Sequence, residues 1–215
     1  MLPTKTPPTE YQDNWLDRLF ISLFSHKMAK ALGSKPRANG YDGFVELSQQ
    51  IMQGRNAHHQ QETVAVVLNS LVPAPVLWAI RLIPPAKWVC ESNAWFATQL
   101  FEWLVGPTEL RPAQIPQLNA PDRTYQSTVH IKKCRYLEQS QCVGMCLNMC
   151  KLPTQKFFTE GFGIPLTMTP NFEDMSCDMV FGLPAPDITT EDCYQQPCLK
   201  ECPTATAIAC PKVRT

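Results

Sequence analysis

Cysteine thiols are the side chains of this chain best suited to chemistry, and they are concentrated towards one end. Of the ten cysteines, nine lie within the last 82 residues, and only Cys90 precedes them. Such clustering in a chain without a recognisable secretory signal favours metal binding over a disulfide framework. Cys90 stands alone on an apolar stretch, so we interpret it as a small buried hydrophobic residue. The nine are Cys134, Cys142, Cys146, Cys150, Cys177, Cys193, Cys198, Cys202 and Cys210.

Three of the cysteines follow each other at intervals of four residues. In an α-helix, Cys142, Cys146 and Cys150 would each be rotated by about 40° from the one before, so all three would share one stripe. Disulfides between consecutive members of such a stripe would be strained. The spacing therefore predicts a helix that presents thiolates to a metal ion or cluster.

The residues alone leave the metal open. Structural zinc sites close with four ligands, often in Cys-x2–4-Cys pairs, and Cys198-x3-Cys202 fits that range. Nine thiols exceed one zinc site, however, and soft thiolates also suit iron–sulfur clusters. The ferredoxin run C-x2-C-x2-C-x3-C-P is absent. Iron–sulfur, zinc, and disulfides or free thiols all remain open, with Cys134 and Cys177 as further candidate ligands.

Carboxylates near the cysteines are candidate general acids or bases. Glu138 follows Cys134, while Glu173 and Asp174 precede Cys177. Carboxyl groups of this kind can protonate a substrate or bind iron. The alternative is that they are cap and turn residues. The histidines form no group with ligand spacing, and no role is predicted for them.

The first half of the chain has the periodicity of helices. Asp13 or Asn14 is placed to cap a helix that ends at Gly33. Two further helices are predicted at 41–52 and 61–71, and another is expected to start at Ser92 or Asn93 and to reach Gly106. These stripes predict a helical core, and the alternative is that part of their apolar surface accepts a lipophilic ligand or rests on a membrane.

The second half predicts a small module with a short antiparallel sheet. The proline-rich stretch 107–122 is interpreted as a connection. Alternation over 128–132 predicts a strand, and 166–169 and 179–181 are expected to return as short strands. The fold class is therefore α+β, with a helical part at 1–106 and a cysteine-rich module at 107–215 that together form one integrated domain.

Composition argues against several classes of function. Lys and Arg together number 19, as do Asp and Glu, so no overall field favours nucleic acid. The most apolar stretch, 71–85, is interrupted by prolines and Arg81, which predicts no transmembrane helix. The N-terminal residues have neither the apolar core of a secretory signal nor the composition of a transit peptide.

A long stretch of the chain resembles a known family. The run CRYLEQSQCVGMCLNMCKLPTQKFFTEGFGIPLTMTPNFEDMSCDMVFG, together with Trp103-Leu104-Val105-Gly106-Pro107 and Gln196-Pro197-Cys198-x3-Cys202, is similar to the iron-containing β-carotene isomerases of strigolactone biosynthesis. The founding member of that family is named for the dwarf phenotype numbered twenty-seven. The resemblance implies reversible conversion of all-trans-β-carotene to its 9-cis isomer by an iron-containing protein.

Combined with this resemblance, the cysteines lead to a specific hypothesis. We expect a carotenoid isomerase that uses transient one-electron exchange between an iron–sulfur centre and the polyene, with one four-iron cluster, or two. The alternatives are acid catalysis by Glu138, Glu173 or Asp174, an iron–sulfur electron carrier, and a zinc-stabilised carotenoid-binding protein. The expected metal ligands are Cys142, Cys146, Cys150, Cys177, Cys198 and Cys202, with Cys134 as a further cofactor-binding residue.

The same hypothesis sets expectations for partners and location. The partner is a carotenoid substrate, with peripheral membrane attachment as a further expectation and no nucleic acid. The electron donor stays unidentified. The expected location is the cytoplasm or thylakoid of a cyanobacterium, or a plastid if the chain is a trimmed plant protein.

Overall fold

A computed structural model describes residues 9–115, 124–199 and 202. The fold is α+β, which confirms the predicted class. The helices of the first half are α1 Trp15–Leu32, α2 Gly40–Met52, α3 Ala57–Asn69, α4 Ala74–Arg81, α5 Lys87–Leu100 and α6 Glu102–Val105. The strands are β1 Thr108–Gln114, β2 Thr124–Ile131, β3 Leu166–Pro170 and β4 Cys177–Phe181.

Helical elements also separate β2 from β3. After α7 Arg135–Ser140, one helical segment runs through four consecutive parts. Its π-helical parts are called the first and second π-segments below. The four parts are α8 Val143–Met145, the first π-segment Cys146–Lys151, α9 Leu152–Lys156 and the second π-segment Phe157–Phe162. Short 3₁₀ turns follow β4 at Ile188–Thr190 and Asp192–Gln195.

The ends of α1 follow from local chemistry. The Asn14 side chain accepts hydrogen bonds from the backbone N–H groups of Leu16 and Asp17, and Asp17 reciprocates as a capping box. Gly33 ends the helix in the left-handed region, where a residue without Cβ is not strained. Both predicted ends are confirmed.

The expected bounds of the helix after the proline-interrupted region are wrong. The stretch after α3 contains a helix, α4, because Pro75 falls in its first turn, where no N–H donor is needed. The next helix, α5, starts at Lys87 rather than at Ser92 or Asn93, and it ends at Leu100 before the separate short helix α6. Helix-forming residues before Ser92 simply extend the helix towards its N-terminus.

The sheet is fully antiparallel in the order β1-β2-β4-β3. Its edge strand β1 lies within the stretch predicted to be a connection, so that part of the prediction is wrong. The register of β1 against β2 shifts between Arg111 and Ala113, and Pro112 occupies this irregularity. Proline is tolerated at the edge of a sheet and at a bulge because no ladder donor is lost there. Residues 116–122 of the predicted connection lie outside the described residues.

One hydrophobic core includes residues of both halves. Helix α5 packs across β2, β1 and β4, and the core extends from Ile21 in α1 to Phe181 in β4. Gly106, between α6 and β1, has φ +83°, and a Cβ there would lie 3.0 Å from Cε1 of Tyr11. The chain can therefore make this close turn only with glycine.

Among the described residues, no single helix is long and apolar enough to cross a bilayer. Helices α3 and α4 reach the necessary length and hydropathy only as a pair, and they are bent by 92° at the break between them.

Candidate functional site

Cys146 and Cys150 lie on a helical segment that departs from regular α-helix. In the first π-segment the N–H of Leu152 donates to the carbonyl of Leu147, five residues earlier. Pro153 follows directly and has no N–H to offer the preceding turn, so the wider turn is the local solution. Short π-helical insertions are frequent at functional sites. No periodicity in the sequence indicated these π-helical turns.

The expectation that three cysteines share one α-helical stripe is wrong. Cys142 has an extended backbone and precedes the helix as the N-cap of α8. Cys146 and Cys150 both belong to the first π-segment. The helix therefore carries two of the three thiols, and Cys142 is presented by the turn before it.

The end of the sheet supplies two more thiols. Cys177 is the first residue of β4 and pairs with Ile131 at the end of β2. Cys134 follows β2 after two residues, and its N–H donates to the carbonyl of Met175 at 2.7 Å. This bond holds the β3–β4 loop against the start of α7. Cys134 and Cys177 therefore lie at the same end of the sheet.

Cys134, Cys146, Cys150 and Cys177 are called the thiol cluster below, because their thiols influence each other electrostatically. Burial raises the pKa of Cys134 to about 11 and that of Cys150 to about 12, with the Cys134 thiol adding to the second effect. Burial also raises the pKa of Cys146 and of Cys177 well above 9.0, and neighbouring cluster thiols add to both. The thiols are therefore protonated at neutral pH, and a cationic ligand is needed to favour their thiolates.

Lys151 places a buried positive charge beside the thiol cluster. Its side chain is only 1% exposed, and its ammonium group donates to Glu191 Oε2 at 2.7 Å and to the carbonyl of Met168. The charge of Lys151 opposes the rise in the pKa of Cys177. Cys193 Sγ donates to the same Glu191 oxygen at 3.9 Å. Sequence reasoning missed the Lys151–Glu191 ion pair, since the two residues are 40 positions apart in the chain.

The remaining predicted ligands surround the thiol cluster at different depths. Cys142 is fully buried near Tyr136. Cys198 is partly buried, and Cys202 is buried at the edge of the main core. Cys193 packs with Val143 and Leu147 in a separate small apolar group. Cys210 lies outside the described residues.

No three histidine, cysteine, aspartate or glutamate side chains in the described ranges meet closely enough to hold a single metal ion. A polynuclear cluster is itself several atoms wide, so its cysteines converge from more widely separated points than the ligands of one ion. The thiol cluster offers four soft donors from a helix and a sheet end, which is the ligand number of a four-iron cluster. The donor chemistry is therefore compatible with a cluster held by thiolates.

Buried aromatic residues enclose the helical side of the thiol cluster. The hydroxyl of Tyr41 donates to the carbonyl of Leu104 at 2.6 Å. Burial raises the pKa of Tyr41 and of Tyr136 well above the usual value, and the cluster thiols add to both shifts. Phe44 packs between these rings and Trp103. This part of the site was not predicted, because its residues come from three distant helices.

Glu138 is engaged in a polar network at the N-terminal segment. Its carboxylate accepts hydrogen bonds from Lys133 Nζ at 2.5 Å, from Tyr11 Oη at 2.7 Å and from the Thr9 backbone. Burial acts to raise the pKa of Glu138, but these hydrogen bonds outweigh it, and the pKa lies below its usual range. Glu138 is therefore a charged anchor for the segment at residues 9–13, which is a poor state for a proton donor.

This network predicts pH-dependent stability. Because the pKa of Glu138 is lowered in the folded protein, its contribution is present above the usual Glu pKa of about 4.3 and is lost as pH falls through the folded value. We expect Glu138→Gln to lower the melting temperature at pH 7, and the difference from the unsubstituted chain to shrink as the pH is lowered towards about 3. Melting curves across that range check this, and an equal difference at both pH values would contradict it.

Glu173 and Asp174 lie exposed in the loop that joins β3 to β4. Asn171 Oδ1 accepts from the N–H of Glu173, and Asp174 Oδ1 accepts from the N–H of Ser176 at 2.8 Å. The hydrogen bonds from Ser176 lower the pKa of Asp174. These are the contacts of turn residues. They support the interpretation of Glu173 and Asp174 as turn residues rather than as general acids or bases.

His130 belongs to a polar pair that sequence reasoning did not anticipate. Its Nδ1 lies 2.7 Å from Oδ1 of Asp178, across the β2–β4 pairing. Asp178 directly follows Cys177 in the chain, and His130 precedes Ile131, the residue that pairs with Cys177. Only the strand register brings the two residues together, so spacing along the chain carried no signal.

Two surface clefts lie apart from the thiols. A cleft of about 340 Å³ is lined by carboxylates and amides, including Asp42, Glu46 and Glu138. A second cleft, of about 230 Å³, lies between α3, α4 and the second π-segment, with Leu77 and Phe157 in its walls. No cysteine lines either cleft.

Fold and site together define an α+β protein with buried thiols gathered between a helix and a sheet end. A family model described as "Beta-carotene isomerase D27-like, C-terminal" matches residues 103–190. The chain is 42% identical over 193 residues to the chloroplastic β-carotene isomerase D27 of Medicago truncatula, covering 89% of this chain and 75% of that protein. It is 34% identical over 202 residues to the chloroplastic protein of the same name from Arabidopsis thaliana, covering 93% and 75%.

The chain belongs to the β-carotene isomerase D27 family, a family of isomerases, as its cysteine-rich stretch predicted. No solved structure is significantly similar to it.

Proposed function

We propose that this protein is a cis–trans isomerase of β-carotene that interconverts the all-trans and 9-cis forms. The observation that carries the proposal is the 42% identity, over 89% of this chain, to a protein named β-carotene isomerase. The matched C-terminal region at residues 103–190 contains the whole thiol cluster. The part of the chain most suited to chemistry is therefore also the part that the family shares.

The proposed cofactor is iron, as a four-iron cluster held by thiolates. Cys134, Cys146, Cys150 and Cys177 are the best-supported ligands, because three of them are buried, Cys150 is partly buried, and these thiols contribute to one another's raised pKa. Cys142, Cys198 and Cys202 stay candidates for the same cluster or for a second one. When bound, such a cluster would supply transient one-electron exchange with the polyene, which weakens a double bond without net redox change.

The chain's own residues would exclude water from the cluster and compensate part of its negative charge. Burial of Cys134, Cys146 and Cys177 excludes water from the donor atoms, and Lys151 offsets the negative charge that thiolates would carry there. A cluster at this depth supports an isomerase better than an electron carrier, which exposes its cluster to a partner. A zinc-stabilised binding protein is less well supported, since the described ligands do not converge on a single ion.

Acid catalysis by the loop carboxylates predicts a different outcome from electron exchange. We expect Glu173→Gln and Asp174→Asn to leave the isomerisation rate within about twofold, because both side chains are exposed and engaged in turn contacts. Chromatography of the carotene isomers over time measures this rate. A loss of more than about tenfold with iron content intact would support protonation of the polyene instead.

The cellular location follows the relatives. Both are chloroplastic plant proteins, and we therefore propose a plastid location. The alternative is the cytoplasm or thylakoid of a cyanobacterium. Either compartment supplies carotenoid.

The first test uses protein purified without oxygen. Iron and acid-labile sulfide are determined, an absorption spectrum is recorded, and all-trans-β-carotene in detergent micelles is then supplied as substrate. Near-equal iron and sulfide with formation of the 9-cis isomer is the expected result. A colourless, zinc-containing or metal-free protein that still isomerises carotene would overturn the cofactor, and an iron-loaded protein without isomerisation would overturn the reaction.

A further inference from the structure

Helix α4 and the start of α5 present large apolar side chains to the surface. From residue 73 to residue 84, every residue except Leu77 and Ile80 is exposed, and α4 has no buried residue at all. Trp78 is 66% exposed and Trp88 is 61% exposed. These two belong to what we call the tryptophan face: Val76, Trp78, Leu82, Ile83, Trp88, Trp95 and Phe96, each between 40% and 66% exposed.

On α5, the exposed tryptophan rings share one side of the helix. Trp88 and Trp95 are seven residues apart and therefore lie on the same side of that helix, and the Trp95 and Phe96 rings pack 5.0 Å apart. The opposite side of α5, with Cys90 and Ala94, packs on the sheet. The exposed rings are therefore not left over from the core, because the helix already has a complete buried face.

The charged residues of α4 and of its connection to α5 have one sign, whereas Glu91 follows on α5 and accepts a hydrogen bond from the backbone N–H of Gln126. From residue 63 to residue 90 the chain contains no acidic residue, and its charged residues there are Arg81 and Lys87. Lys27, from α1, also lies at the end of α3, where its ammonium group donates to the carbonyl of Ser70. On α4 and its connection to α5, exposed tryptophan and aliphatic side chains are accompanied by cations and by no carboxylate of that stretch, which is complementary to an anionic lipid surface.

The length of α4 determines how such a face could meet a bilayer. Eight residues of helix are about 12 Å long, which is too short to cross the hydrocarbon core. A short helix with an exposed tryptophan and an arginine at its end instead lies in the headgroup region, where indole rings are favoured.

We propose that the tryptophan face docks this protein onto the surface of an anionic lipid membrane. Apolar side chains of α4 and of the α4–α5 connection enter the headgroup region, while Arg81 contacts lipid phosphates. The proposal depends only on this exposed face and its charge. It is independent of the proposed reaction, since it is tested without carotene.

The test is flotation of the full chain with vesicles of phosphatidylcholine alone and of an equimolar mixture with phosphatidylglycerol. Binding to the mixed vesicles is expected, with weaker binding to the neutral ones. The double variant Trp78→Ser, Leu82→Ser removes two exposed side chains, and we expect it to lower the partition coefficient by at least about tenfold. Arg81→Gln is expected to weaken only the preference for anionic lipid.

Trp15→Ser is the matched control. Trp15 is 76% exposed on α1, but its neighbours include Asp13 and Asp17, so its loss should leave vesicle binding unchanged. Circular dichroism shows whether each variant is folded. The proposal would be overturned if the unsubstituted chain did not bind vesicles. It would also be overturned if Trp15→Ser lowered vesicle binding as much as the Trp78→Ser, Leu82→Ser double variant. Dimers in light scattering that the double variant alone disrupts would overturn it too, because the face would then join two copies.

Discussion

Cys146→Ala is expected to remove most of the bound iron and to lower carotene isomerisation by at least about a hundredfold. Cys146 is buried in the first π-segment, and three other cluster thiols contribute to its raised pKa. Loss of a residue that merely supports a metal ligand costs about 10–100-fold in affinity or activity, so loss of a ligand should cost at least as much. Iron analysis and the absorption spectrum of protein purified without oxygen give the first readout, and isomer chromatography gives the second.

Cys90→Ala is the control for this substitution. Cys90 is also buried, and burial raises the pKa of its thiol to about 11, but it packs in α5 and no cluster thiol contributes to that shift. The same change of side chain there should cost some stability while leaving iron content and turnover nearly unchanged. If both variants retained full iron and turnover, the thiol cluster would not be the iron site. If both lost them equally, the effect would be one of folding.

Lys151→Met is expected to lower the free energy of unfolding by about 3–5 kcal/mol, because the substitution leaves the Glu191 carboxylate buried without its partner. One oxygen of that carboxylate, Oε1, already lacks a hydrogen-bond partner. The Lys151 ammonium also binds the carbonyl of Met168, so the bond between the first π-segment and β3 is lost as well. Urea titration of the protein in one defined metal state measures the change.

Two further variants separate charge from packing at this position. Adding Glu191→Gln to Lys151→Met should recover part of the lost stability, since no unpaired charge then remains. Lys156→Met is the matched surface control. Its side chain is 67% exposed and faces Glu160 at 3.9 Å, so we expect a loss of no more than about 0.5 kcal/mol. Equal losses at Lys151 and Lys156 would show that the buried pair has no special role.

Local signals predicted some elements of the fold correctly. The caps at Asn14 and Gly33 act within one turn of the helix they close, so they can be recognised from neighbouring residues. Proline was the main source of error. Pro112 was part of the predicted connection but occupies a bulge in an edge strand, whereas Pro75, which interrupts an apolar stretch of the sequence, occupies the first turn of a helix. The meaning of a proline depends on which backbone donor the fold requires at that position.

Residue types and their order along the chain were sufficient to predict a member of the β-carotene isomerase family with a cysteine-rich stretch, since the cysteines and the family motifs can be recognised in the sequence itself. The grouping of Cys134 and Cys177 with Cys146 and Cys150 depends on the β2–β4 register and on a π-helical turn. The Lys151–Glu191 pair, the engagement of Glu138 by Tyr11 and the exposure of Trp78 likewise come from contacts between distant segments. Such contacts arise only when the whole chain packs, because burial and partner choice are properties of the folded core and not of local spacing.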